Sequence, residues 1–241
     1  MERPHFYSGT RNASSWSLRA WLALRAAGIE FTETVVDIRR PQRFANLAAI
    51  GEIAPSCTVP VLVTGGRVMY DSLAIMEFAN DVCDGRLLPP DPVDRAAARS
   101  LAAWQHAGLS GIARRISFES AFYPDKRTLA DDEIAECARL CRWLESLLER
   151  SGGTWLFGSC SLAEFALVPA VVRLDRHRLE WSRWPRVARW AAAVLDLPDV
   201  REWLAEADRL APIWYDDYML EPERVPSAAS AWTTVAARAT G

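Results

Sequence analysis

Three short stretches carry the residue types that could do chemistry. "NASSWSLR", residues 12–19, sets Asn12, Ser14 and Ser15 at the start of a segment that then turns apolar at helical spacing. A helix N-terminus presents unpaired N–H groups and a partial positive charge, so hydroxyl and amide side chains there can complete a site for an anion. "TVPVL", residues 58–62, puts Pro60 at the entrance of a strand. It is there either as an edge proline or as a cis peptide that exposes the Val59 N–H and C=O to a ligand. "YDSLAIMEF", residues 70–78, opens a helix with Asp71 and Ser72, a second N-terminal site suited to a carboxylate. Each stretch also has a plainer reading, in which Ser14, Asp71 and Ser72 are simply caps and Pro60 marks a sheet edge.

The elements that must position these residues follow from periodicity and punctuation. "HFYSG" reads as a strand, "SWSLRAWLALRAAG" as a helix ended by Gly28, and "IEFTETVVD" as the strand of a βαβ unit. A polar helical stretch near residues 41–49 precedes two short apolar runs flanking Gly65-Gly66, the spacing of a hairpin with a primed turn. A helix then starts at Asp71 or Ser72. The resulting order is βαβαββα over residues 1–85, an α/β domain. Pro89, Pro90 and Pro92 break the chain, and residues 92–221 read as an all-helical domain followed by a tail, 222–241. Its segments are a continuous helix over 94–116, and a helix over 130–152 with Ile134, Cys137, Cys141 and Leu144 on one face. A buried central helix follows, opened by a Ser161/Glu164 capping box, and two short helices start at Pro185 and Pro198.

Composition narrows the class of function. The 241 residues carry a net charge of −3, so no basic surface invites a nucleic acid or an anionic membrane. No apolar run is long enough to span a bilayer and the N-terminus lacks a secretion signal, so a cytoplasmic protein is expected. Five scattered cysteines suit reduced thiols, and Cys137 and Cys141, without partner ligands nearby, read as packing rather than metal binding. Of the 28 basic residues only Lys126 is lysine, which reads as codon composition, so Arg114 and Arg115 are taken as a solvated face.

Taken together, the three motifs meet on one edge of a βαβαββα sheet, and this order followed by helices resembles the cytosolic glutathione transferase superfamily over roughly residues 4–210. "NASSWSLRAWLALRAAGI" resembles the serine-type active-site segment of bacterial members distantly akin to the zeta class. "VPVL" resembles the cis-proline loop, and "DSLAIMEF" the glutamyl-carboxylate motif. The resemblance implies a thioredoxin-like N-terminal domain, glutathione as co-substrate, no metal, and a homodimer.

Residue by residue, the resemblance implies that Ser14 donates to the glutathione sulfur, Val59 pairs its backbone with the cysteinyl unit beside cis-Pro60, and Asp71 and Ser72 hold the γ-glutamyl end. Anchored on Trp16, however, the serine of other serine-type classes aligns with Asn12, so Ser14, Ser15 and the Asn12 amide all stand as candidates for the activating group. A thiol with a pKa near ~8.5 is only about 3% thiolate at pH ~7, and lowering it by roughly 2 units takes about 2.7 kcal/mol. A helix terminus contributing up to ~2 kcal/mol and one charge-assisted hydrogen bond suffice.

A small electrophilic substrate is expected between the domains, with His106 steering or protonating it and Phe118, Phe122, Tyr123 and the aromatics of "IWYDDYM" as candidate walls. The expected function is thiolate attack on an electrophilic carbon, giving conjugation, dehalogenation or cis–trans isomerisation. A non-catalytic binding or regulatory protein on the same fold is the alternative.

Overall fold

The computed structural model describes residues 3–213. The tail from residue 222 and the aromatics Trp214, Tyr215 and Tyr218 lie outside the described residues.

Strand β1 (His5–Gly9) is followed by α1 (Ser15–Ala26) and β2 (Thr32–Val36), and β1 and β2 pair in parallel, as a helical crossover requires. After α2 (Arg43–Gly51), β3 (Val61–Thr64) and β4 (Arg67–Met69) form the antiparallel hairpin, and α3 (Ser72–Val82) closes the unit. Gly65 and Gly66 have φ of +54° and +69°, the left-handed pair that a primed turn demands. The sheet order is β2-β1-β3-β4, with β1 antiparallel to β3. Val61 and Leu62 are adjacent in β3 and both fully buried, so the sheet is covered on both faces. Leu62 joins Phe6, Leu18, Leu22, Ile75 and Met76 on the α1/α3 side, and Val61 joins Val36 and Ile50 on the α2 side.

The remaining described elements are helical: α4 (Pro92–Gly108), α5 (Ser110–Arg115), a short 3-10 turn (Glu119–Phe122), α6 (Asp131–Ser151), α7 (Leu162–Arg176), α8 (Pro185–Leu195) and α9 (Pro198–Ala207). Helix α7 is buried along most of its length and packs on α1 and α4, so one continuous core joins the sheet unit to the bundle. Its start is fixed by the capping box: Glu164 Oε2 accepts the Ser161 N–H at 2.8 Å, and Ser161 Oγ accepts the Ala163 N–H at 3.2 Å. No helix among the described residues is long and apolar enough to cross a membrane.

Two expectations are corrected. The stretch 94–116 is two helices, because the chain turns at Leu109 between Gly108 and Gly111, residues that weaken a helix interior. Ile134 is 41% exposed, because the inward position in the first turn of α6 belongs to Glu133, which the Arg127 guanidinium grips through both carboxylate oxygens at 2.6 Å.

Candidate active site

The edge of the sheet is built by the turn between β1 and α1. The Thr10 carbonyl accepts the N–H groups of Ala13 and Ser14, both at 2.9 Å, which folds the chain back so that Ser14 caps α1 by accepting the Ser17 N–H at 3.3 Å. Gly9 makes this approach possible: a Cβ there would lie 2.6 Å from Ser14 Cβ and 2.9 Å from Val59 Cγ2. Ser14 and Val59 are therefore held against each other across the end of β1, with the Val59–Pro60 peptide cis.

Between this edge and the helical part lies a cavity of about 280 Å³. Ser14, Ser15 and Val59 line one side, and Phe118, Glu119 and Arg173 the other. Arg173, on α7, is almost wholly buried and donates to the carbonyls of Ile116 (2.7 Å) and Pro169 (2.9 Å), and through Nη2 to Ser15 Oγ (3.4 Å). Burial pushes the Glu119 carboxyl above its usual range, although Arg173 and Arg43 act the other way. The cavity therefore has a hydroxyl-lined end beside a helix N-terminus and an end where arginine charge is set in a low-dielectric wall.

A second cluster adjoins it at the start of α3. Asp71 caps that helix, its Oδ1 accepting the N–H groups of Leu73 (2.8 Å) and Ala74 (3.1 Å). Ser72 Oγ accepts from Arg19 Nε (3.0 Å) and Nη2 (2.6 Å). Arg19 is fully buried and also donates to Gln105 Oε1 and, at 2.5 Å, to His106 Nδ1, while stacking on Trp16 at 4.2 Å. Burial lowers its pKa to about 9 against the pull of Asp71, which still leaves the guanidinium charged at neutral pH. Because His106 Nδ1 accepts from Arg19, its proton sits on Nε2, 3.6 Å from Asp71 Oδ2, and burial followed by the Arg19 charge depresses its pKa.

The structure thus brings Ser14, Ser15, Val59 and Phe118 to one cavity, and Asp71, Ser72 and His106 to a cluster around Arg19. Three assignments change. His106 does not line the cavity expected for the electrophile; Arg19 draws it to the Asp71 carboxylate instead. Asn12 is fully buried and donates Nδ2 to the Ala211 carbonyl at 3.0 Å, so its amide tethers the turn to the chain after α9, and it is not among the residues that line the cavity. Phe122 stands behind the wall, edge-on to Phe118 at 5.3 Å.

Arg115 pairs with Asp132, as a solvated residue does, and the Arg114 side chain lies outside what is described. Burial raises the thiols of Cys137 and Cys141 to about 12, in keeping with packing.

A family model described as the glutathione S-transferase N-terminal domain matches residues 13–82, the stretch that holds α1, cis-Pro60 and the start of α3. The probable maleylacetoacetate isomerase of Caenorhabditis elegans is 28% identical over 204 residues, covering 82% of this chain and 91% of that one. The maleylpyruvate isomerase of a Ralstonia species is 28% identical over 206 residues, covering 81% and 93%. The chain is thus similar to glutathione S-transferases, by the family model over residues 13–82 and by these relatives over about four fifths of its length. Solved structures agree on the fold: a diazinon-metabolizing glutathione S-transferase of the silkworm Bombyx mori aligns with a TM-score of 0.69 at 17% identity, covering 85% and 96%. A holo maleylpyruvate isomerase described as a bacterial zeta-class member aligns with a TM-score of 0.65 at 24% identity, covering 85% and 98%.

The residues that sequence reasoning missed are Arg19, Glu119 and Arg173. The arginine-for-lysine bias hid two of them. A usable signal was present all the same: Arg19 interrupts the apolar face of "SLRAWLAL", and Arg173 follows the apolar run "FALVPAVV". A cation inside a segment that must be buried calls for a partner.

Proposed function

We propose that the chain uses glutathione as co-substrate and activates its thiolate for reversible attack on an unsaturated, carboxylate-bearing small molecule, giving cis–trans isomerisation. The observation that carries this reading is the convergence of Ser14, Ser15 and Val59 with buried Arg173 on one cavity. The neighbouring cluster fits the zwitterionic γ-glutamyl end. Asp71 faces the ammonium, while Ser72 Oγ, which already accepts two Arg19 N–H bonds, turns its own proton outward to the carboxylate. Val59 offers backbone groups to the cysteinyl unit, and Ser14 donates to the sulfur at the α1 N-terminus.

In the reaction, the thiolate sulfur bonds to the β-carbon of the unsaturated carbonyl and the π pair moves to the carbonyl oxygen. Rotation about the resulting single bond follows, and return of the pair expels the thiolate, so no glutathione is consumed. Arg173 and Arg43 line the cavity, and their positive charge supports binding of a carboxylate and stabilisation of a developing oxyanion. The names of the relatives, maleylacetoacetate and maleylpyruvate isomerase, support isomerisation over irreversible conjugation.

The test is incubation of the purified protein with glutathione and maleylpyruvate or maleylacetoacetate, following the cis-to-trans conversion and the glutathione concentration. Conversion with glutathione unchanged, lost in Ser14→Ala, is expected. Consumption of glutathione with an aryl halide and no conversion of either cis acid would replace isomerisation by conjugation. No calorimetric binding of glutathione at all would return the chain to a binding scaffold. The assembly proposed is a homodimer, and sedimentation as a 26.9 kDa species would overturn that part.

A further inference from the structure

Ser17 sits in the first turn of α1 and is fully buried. Its Oγ accepts the Gly9 N–H at 3.0 Å and lies 2.7 Å from Ser14 Oγ. Ser14 Oγ in turn accepts the Ser17 N–H. A hydroxyl–hydroxyl contact can run either way, so the direction has to come from counting protons. Among the described residues, the acceptor within hydrogen-bonding reach of the Ser17 proton is Ser14 Oγ. If Ser14 donated to Ser17, the Ser17 proton would be buried without an acceptor, at a cost that native interiors avoid. The bond therefore runs from Ser17 to Ser14. Ser14 then holds two incoming bonds, from the Ser17 N–H and the Ser17 O–H, and its own proton points into the cavity that it lines.

We infer that Ser17 is a positioning residue for thiol activation: it anchors on the Gly9 N–H, donates to Ser14 Oγ, and thereby fixes the Ser14 proton on the line to the bound sulfur. Chained hydrogen bonds polarise one another, so the Ser14 hydroxyl becomes a stronger donor to an anion than an isolated serine. Ser15, the other candidate, is oriented differently. Its Oγ accepts from Arg173 on the helical side of the cavity, whereas Ser14 is pressed against Val59, whose backbone is assigned to the cysteinyl unit. The same geometry thus separates the roles of the two adjacent serines. Asn12, turned toward Ala211, takes no part.

This inference rests on the reading of the cavity as a glutathione site, and the experiment separates the two. The thiol of bound glutathione is titrated by its thiolate ultraviolet absorbance in the wild type, Ser17→Ala, Ser17→Cys and Ser14→Ala. Affinity for S-methylglutathione, which has no ionisable thiol, and the melting temperature control for folding. In the wild type the thiol is expected well below its free value of about 8.5. Ser17→Ala is expected to raise it by about one unit, roughly tenfold less thiolate below the pKa, with S-methylglutathione affinity unchanged. Ser17→Cys, close in volume and a weaker donor, gives an intermediate value and keeps the test open should the alanine variant fold poorly. In a Ser14→Ala background the effect of Ser17→Ala disappears. A wild-type complex whose thiol titrates as in free solution overturns the glutathione-site reading together with this one. A lowered wild-type value that neither Ser17 variant moves overturns the role of Ser17 alone.

Discussion

Replacing Arg173 by methionine separates a substrate-binding arginine from a structural one. The side chain donates to two backbone carbonyls, Ile116 and Pro169, and reaches Ser15 Oγ on the cavity wall. Losing two neutral-acceptor bonds at about 1 kcal/mol each lowers folding stability by about 2 kcal/mol, part of which is offset by removing a charge from the interior. The effect on catalysis is larger and selective. A hydrogen bond from a guanidinium to a carboxylate contributes about 1.5–3 kcal/mol, so kcat/KM for a carboxylated electrophile should fall roughly 10- to 150-fold. An uncharged electrophile presented to the same thiolate should lose far less, because it never used the charge. The assay is kcat/KM for an acidic and a neutral electrophile at one saturating glutathione concentration, alongside urea denaturation. Equal losses for both electrophiles would refute the reasoning and leave Arg173 as a clamp on the α5 end.

Three further outcomes are expected. Gly9→Ala places a Cβ 2.6 Å from Ser14 Cβ and 2.9 Å from Val59 Cγ2, so turnover should collapse while the circular dichroism of the helices persists; retained activity would mean that Ser14 need not sit against Val59. Arg11→Met leaves Glu33 without the paired donors that now hold it at 2.7 and 2.8 Å and removes the cation packed 4.1 Å from the Trp203 ring, for a loss of about 3 kcal/mol in denaturant midpoints. A loss below about 1 kcal/mol would class the contact with solvated surface pairs. Burial depresses both His106 and His177, so between their folded values and about 6.5 the unfolded chain binds more protons than the native one. Stability should therefore drop as pH falls through that window and recover above it. His177→Gln should flatten the acid limb of a pH series of denaturation curves, and an unchanged slope would count against it.

What the sequence determined by itself is what a few neighbouring residues can satisfy. Ser14, Asp71 and Ser161 cap their helices because each side chain bonds an N–H two or three residues ahead, and Gly65-Gly66 turns the hairpin because a primed turn needs positive φ at both central positions. These local devices ordered the sheet and brought the three motifs to its edge, which is why the fold and the hydroxyl end of the site were legible in one dimension. The tertiary structure alone decided the charges. Arg19 reaches Ser72 across 53 positions, Arg173 reaches Ser15 across 158, and Arg11 reaches Glu206 across 195. Asn12 is 199 positions from the carbonyl that it donates to, and His106 is 87 from the arginine that claims its ring. A cap is chosen by the backbone beside it, whereas a buried guanidinium is tolerated only when distant elements close around it with acceptors in place, and no spacing along the chain records that closure.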